Sequence, residues 1–249
     1  MASLLPEIAV VIPAHNEAEN LATLLAEIQA ALDQLVAYEV IVVDDASSDA
    51  TPRVLSETAR QFPALRPLRH RRRSGQSAGL ITGIRAARAP WIVTLDGDGQ
   101  NNPADIPALW ARRPAASPDD LPPVLIAGNR VGRRDVWQKR LASRIANRVR
   151  GALLKDRTPD TGCGLKLFSR QAFLALPHFD HCHRFLPALF LRAGARVITV
   201  PVSHRPRTRG RSHYGIGDRL WVGVVDLLGV IWLMRRWRDP GGVDPLPPA

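Results

Sequence analysis

The stretch Trp91–Gln100 (WIVTLDGDGQ) is an apolar run that stops on two carboxylates. Trp91–Leu95 has the pattern of a short buried strand. Asp96 and Asp98 then bracket Gly97, and carboxylates so spaced are hard oxygen ligands suited to Mg2+ or Mn2+, ions that also bind phosphate oxygens. The plainer reading is an acidic turn that merely ends a strand. Upstream lie a helix from about Gln76 to Ala87, a basic loop Arg71–Gly75 and a short strand near Leu65–Arg69. Before these, Glu39–Val43 (EVIVV) is a strand closed by Asp44-Asp45. Asp49 or Thr51 caps the helix that follows, with Pro52 in its first turn, where a missing N–H costs nothing. Glu7–Pro13 (EIAVVIP) is the first strand. Asn16 caps a helix to about Leu35, with Leu21, Leu24, Leu25, Ile28 and Leu32 on one face.

Downstream, Val124–Ala127 is a fifth strand, followed by a helix over about Trp137–Leu154, a loop DRTPDTGCG and a strand-like LKLFS. A helical segment at Arg184–Arg192 and a strand at Val197–Val202 complete the core. Strands alternating with helices imply right-handed crossovers, hence an α/β fold with a mostly parallel central sheet flanked by helices. Ligands of such sheets sit at the carboxyl ends of the strands. Four strand ends carry polar residues, His15/Glu17, Asp44/Asp45, Asp96/Asp98 and Asn129/Arg130, so these are expected to converge on one crevice. The first two have plainer readings too: Asn16 and Ser47–Asp49 as caps, Glu17 as a helix-dipole partner.

Composition narrows the partner class. The 249 residues carry 34 Lys+Arg and 23 Asp+Glu, a net +11, with 45% hydrophobic residues and two cysteines. That excludes a disordered chain and a disulfide scaffold, and the cysteines read as free thiols in a reducing cytoplasm. Only three of the basic residues are Lys, and Gly128–Arg238 holds 23 basic against 6 acidic residues, a local +17 beside −6 elsewhere. Such asymmetry suits a polyanionic partner: nucleic acid, anionic membrane or phosphorylated substrate. The N-terminus has no signal-peptide pattern. Leu220–Met234 is the longest apolar stretch, interrupted by Asp226; as a helix it spans about 22 Å against a hydrocarbon core of about 30 Å.

Three pieces in order, strand–PAHNE, strand–VDDASSDAT and strand–DGDGQ, resemble family 2 glycosyltransferases of the GT-A (Rossmann-like) fold, and among them enzymes that make polyprenyl-phosphate sugars, typified by dolichol-phosphate mannosyltransferase. The likeness runs from about Ile8 to Tyr214. It includes Gly128-Asn129-Arg130, Asp160–Lys166 (DTGCGLK) and Arg209–Tyr214 (RGRSHY). The resemblance implies that Pro13, His15, Glu17 and Asp45 line a nucleotide pocket. Asp96 and Asp98 would face the diphosphate, with Asp98 and Gln100 the more direct metal ligands beside Asp96. Arg130 and Arg209, with Ser212, His213 and Tyr214, would hold donor diphosphate or acceptor phosphate, and Asp160 is the matching base or acceptor-orienting carboxylate. The family often has an aromatic residue at His15 and Lys at His213, so the second contact is expected to titrate near an imidazole pKa of about 6.5.

The implied activity is metal-dependent, inverting transfer of a sugar from a nucleotide sugar, of GDP or UDP, to a polyprenyl phosphate, with Mg2+ or Mn2+ as cofactor. The alternatives are a family 2 transferase with a lipopolysaccharide or other carbohydrate acceptor and, more distantly, a basic nucleic-acid-binding protein. The last offers no account of the carboxylates and shows no recognition motif. A dinucleotide-dependent dehydrogenase lacks G-x-G-x-x-G after the first strand, and a processive synthase would bring several spanning helices. His178, His181, Cys182 and His183 are adjacent residues that cannot all face one zinc ion, and Arg184–Pro187 resembles an acceptor-side segment of lipid-phosphate transferases. Residues 1–217 are expected to form the transferase domain and 218–238 a membrane-interfacial or oligomerisation helix, with 239–249 a disordered tail. Trp221, Trp232 and the run Arg235–Arg238 suit a headgroup region, placing the chain peripherally on the inner face of the cell membrane.

Overall fold

The computed structural model describes residues 5–115, 122–131, 151, 153–154, 156, 158–205 and 216–236. It divides into two compact units, Met1–His213 and Tyr214–Ala249. In the first, β1 (Ile8–Ala14), β2 (Tyr38–Asp44), β3 (Leu65–Arg69) and β4 (Trp91–Thr94) alternate with α1 (Ala18–Leu32), α2 (Thr51–Gln61) and α3 (Gln76–Ala86). A short α4 (Ile106–Trp110) precedes β5 (Val124–Arg130); β6 (Lys166–Ser169), α5 (Arg170–Leu174), α6 (Leu186–Arg192) and β7 (Arg196–Val202) follow.

The seven strands form one sheet in the order β3-β2-β1-β4-β6-β5-β7. Pairing is parallel throughout except that β6 runs antiparallel to both β4 and β5. The mostly parallel α/β expectation holds, and the reversed strand is the difference. β1, β2 and β4 are buried along nearly their whole length, as a sheet covered on both faces requires. Prolines that cannot donate to a ladder, Pro67 and Pro201, stand in the two edge strands, β3 and β7.

Local details depart from expectation for physical reasons. α1 buries Leu21, Leu24, Leu25, Ile28 and Leu32 and stops at Leu32, leaving Leu35 exposed beyond it. Asn16 does not cap α1; it adopts φ 57° and turns its side-chain oxygen to the amides of Ser48 and Asp49. The cap comes from the next turn instead: Thr51 Oγ1 accepts the Glu17 amide at 3.0 Å and Asp49 Oδ2 accepts that of Ala18 at 3.3 Å. β5 continues past Ala127 because Gly128, Asn129 and Arg130 pair with Val200, Pro201 and Val202 of β7. The predicted helix over 137–154 falls mostly outside the described residues, as do 206–215 and the tail 239–249.

The second unit contains α7 (Ile216–Arg236), with Arg235 and Arg236 in its last turn. Val224, Val225, Leu228 and Trp232 are exposed large apolar side chains on it. Among the described residues no helix is long and apolar enough to cross a membrane.

Candidate active site

β1 leads outward to β2 and β3, then the chain returns to place β4 on the other flank of β1, so the sheet's switch point lies between β1 and β4. Their pairing ends at Val11↔Thr94, two residues before Pro13, which has no N–H to extend it. In a sheet of this kind the ends of these two strands wall the crevice that takes the ligand. Gly97 keeps the walls close: a Cβ on it would stand 3.2 Å from the Pro13 carbonyl oxygen.

The β1–β2 wall is tied together by its own polar groups. His15 Nδ1 lies 2.8 Å from the Asp45 carbonyl oxygen, and Glu17 accepts from Asn20 Nδ2 at 2.6 Å. Pro13 backs onto α3, where a Cβ on Gly79 would collide with its ring. Asp45 is buried and its carboxylate accepts the amides of Ser74 (2.8 Å) and Gly75 (2.7 Å) and meets His70 Nδ1 at 2.7 Å. It thereby fixes the loop that enters α3. His70 Nε2 meets Thr82 Oγ1 at 2.9 Å, closing that network.

The β4 wall carries the acidic pair. Asp96 Oδ1 accepts from Gln76 Nε2 at 2.8 Å, its amide donates to Asn101 Oδ1 at 3.3 Å, and its other oxygen rests against Gly164, where no Cβ would fit. Burial, reinforced by the charge of Asp98, pushes the Asp96 carboxyl up to about 6; Lys166, Arg130 and Gln76 oppose the shift. Asp98 is partly exposed and accepts the Gln100 amide at 3.1 Å. Gln100 in turn accepts the Arg205 amide at 3.2 Å, and Asn101 bridges to His204, so the chain leaving β7 crosses this turn.

The third wall is basic. Arg130, at the end of β5, makes a two-pronged bond to Asp160, Nε to Oδ2 at 2.6 Å and Nη2 to Oδ1 at 2.8 Å. Burial works against its charge, but the Asp160 pairing prevails and holds the guanidinium above its ordinary range. Such a fork still offers further N–H groups to a phosphate.

The structure places Pro13, His15, Glu17, Asp45, Asp96, Asp98, Gln100 and Arg130 at or just beyond the carboxyl ends of the parallel strands, with Asp160 bonded to Arg130. Arg209, Ser212, His213 and Tyr214 lie outside the described residues. Sequence reasoning missed Gln76, Asn101, His70 and the buried Lys166. It also missed Ser77, whose hydroxyl meets His183 Nδ1 at 2.8 Å. Among the described residues no three His, Cys, Asp or Glu side chains gather as a metal cluster, the His178–His183 segment included. Two carboxylates suffice for Mg2+ or Mn2+, which keeps waters and takes its remaining ligands from substrate phosphates. The like-charged pair at Asp96 and Asp98 fits a hard cation.

The architecture agrees with solved glycosyltransferases. Glucosyl-3-phosphoglycerate synthase of Mycobacterium tuberculosis, solved with Mn2+, UDP and glucosyl-3-phosphoglycerate, matches with a TM-score of 0.67 at 19% identity, covering 95% of this chain and 82% of that one. Mannosyltransferase PcManGT of Pyrobaculum calidifontis, solved with GDP-Man and Mn2+, matches with a TM-score of 0.63 at 22% identity, covering 96% and 67%. The fold is that of the GT-A glycosyltransferases. Residues 9–176 match the family described as Glycosyl transferase family 2, and the chain belongs to that family. It is 33% identical over 243 residues to the dodecaprenyl-phosphate galacturonate synthase of Rhizobium johnstonii, covering 94% of this chain and 69% of that protein. It is 32% identical over 212 residues to the undecaprenyl-phosphate 4-deoxy-4-formamido-L-arabinose transferase of Edwardsiella ictaluri, covering 84% of this chain and 63%, less than two thirds, of that one.

Proposed function

We propose that this glycosyltransferase moves a sugar from a nucleoside-diphosphate sugar to a polyprenyl phosphate, with inversion at the anomeric carbon and with Mg2+ or Mn2+ as cofactor. The observation that carries the reading is that Arg130, forked to Asp160 at the end of β5, acts electrostatically on Asp96, which stands beside Asp98 at the end of β4. The names of the polyprenyl-phosphate relatives support the acceptor class.

The acceptor phosphate oxygen attacks the anomeric carbon as the bond to the diphosphate oxygen breaks, and the nucleoside diphosphate departs with that electron pair. Asp98 and Gln100, beside Asp96, are the residues that would hold the cation, which when bound supplies Lewis-acid neutralisation of the leaving diphosphate. Arg130 offers its remaining N–H groups to the same developing charge. A phosphate monoester, with a second pKa of about 6, is ionised at neutral pH and needs little help from a base. Asp160 is therefore assigned to orient Arg130, to which it is bonded. Pro13, His15, Glu17 and Asp45 are assigned to the nucleotide, and Arg209, Ser212, His213 and Tyr214 to phosphate.

Residues 1–217 form the catalytic domain in this reading. The helix within 218–238 rests on the inner face of the cell membrane, its exposed Val225, Leu228 and Trp232 meeting lipid and Arg235 and Arg236 the anionic headgroups. The test is incubation with UDP- and GDP-sugars, Mg2+ or Mn2+, and short polyprenyl phosphates, followed by mass spectrometry of the lipid. A glycosylated lipid of inverted anomeric configuration is expected. Turnover only on a carbohydrate or a small phosphorylated acceptor would replace the lipid assignment, and a retained configuration would overturn the single displacement.

A further inference from the structure

Lys166 is a buried cation at the start of β6, set between Thr94, the last residue of β4, and Ala127 of β5. Its hydrogen bonds are not to a carboxylate. The ammonium donates to the carbonyl oxygens of Thr161 (3.2 Å) and Cys163, within the loop that enters β6. Thr94 Oγ1 takes the Gly164 carbonyl at 2.6 Å and the Gly128 amide takes that of Leu165 at 2.9 Å, so the loop's carbonyls are drawn inward one after another. The same loop carries Asp160, which grips Arg130, and Gly164, which seats against Asp96. A charge with no ion-pair hydrogen bond is a costly way to fill a core position, and an aliphatic side chain of similar length would avoid that cost. Burial lowers the Lys166 pKa, while Cys163, Asp96 and Asp160 favour its charged form.

We propose that Lys166 is a positioning residue of the transferase: by holding the Thr161 and Cys163 carbonyls it fixes the loop that presents Asp160 to Arg130 and Gly164 to Asp96. The inference rests on the transfer reaction assigned above to this crevice.

The two cysteines allow the loop to be watched apart from activity. Cys163 is buried inside it, and Cys182 is buried elsewhere, its thiol 3.6 Å from Ser77 Oγ. Full-length wild type, Lys166→Met, Lys166→Gln and Lys166→Arg would be labelled with iodoacetamide and each cysteine followed by peptide mass spectrometry, alongside steady-state turnover. In Lys166→Met, Cys163 is expected to label about tenfold faster with Cys182 unchanged, because two buried carbonyls lose their donor. Turnover is expected to fall roughly 100-fold with donor KM within about threefold, as for a misplaced catalytic group. Lys166→Arg should regain most of the Cys163 protection and part of the turnover. Protection of Cys163 that survives Lys166→Met overturns the proposal. Joint opening of both cysteines in every variant also overturns it, since the lysine is then a general core residue. Absence of wild-type turnover with every donor and acceptor instead overturns the transfer reading, and the labelling still decides the lysine's hold on the loop.

Discussion

Asp98 and Asp96 stand two residues apart and are committed differently. Asp96 is tied to Gln76 and pressed on Gly164, whereas Asp98 is partly exposed beside the Gln100 amide. Asp98→Ala is therefore expected to remove metal-dependent turnover, by about 10²–10³-fold, while thermal unfolding monitored by circular dichroism stays near wild type. His183 allows a second test. Burial, with Arg184, Lys166 and His181 nearby, pushes its imidazole down to about 3 from 6.5, so the folded chain keeps it neutral where the unfolded chain takes a proton. With more protons bound when unfolded, stability falls as pH drops below about 6.5 and goes on falling towards about 3. Melting curves of His183→Asn should lose less between about pH 7 and pH 5 than those of the wild type. The acidic residues of the crevice were legible in the sequence because each motif is contiguous and closes a recognisable strand. Gln76 and the Ser77–His183 bond were not, because each acquires its partner only when distant segments meet, and Lys166 was not, because its burial is set by the strands on either side of it.

At the scale of elements, helix α3 shows how closely the crevice is backed. Gly83 faces β1, and a Cβ there would strike the Val11 side chain and stand 3.3 Å from Val43 Cγ2. Gly83→Ala should destabilise the protein by about 1–3 kcal/mol in urea unfolding, although alanine is the better helix former. The first four strands and three helices were readable because hydrophobic period, turn residues and length agree in each. The direction of β6 was not readable. Four buried residues without alternation carry no sign of polarity, and the connection that sets it includes the 132–150 stretch. The end of β5 was misjudged because Gly128-Asn129-Arg130 has the composition of a turn, yet β7 supplies a ladder for all three.

Across the whole molecule, the net +11 divides into an acidic N-terminal portion that carries the carboxylate motifs and a basic remainder that carries Arg130 and the α7 arginines. If α7 seats the enzyme on anionic lipid, the full chain should float with phosphatidylglycerol liposomes. The double variant Leu228→Glu, Trp232→Glu should stay at the bottom of the gradient, each buried side chain being worth about 1.5–3 kcal/mol. Equal flotation of the two would assign the contact to another surface.

The antiparallel strand β6 also bears on the order in which the sheet assembles. The β1–β2 and β2–β3 ladders join residues 30 and 25 positions apart, whereas β6 pairs with β5 about 40 and with β4 more than 70 positions away. Contacts of that kind carry a larger loop-closure cost and form late. In pulsed hydrogen exchange during refolding, amides of β1 and β2 should gain protection before those of β6 and before the Arg130 amide that faces Asp160. The β1–β2 side of the crevice would then exist before the side built from Arg130 and Asp160.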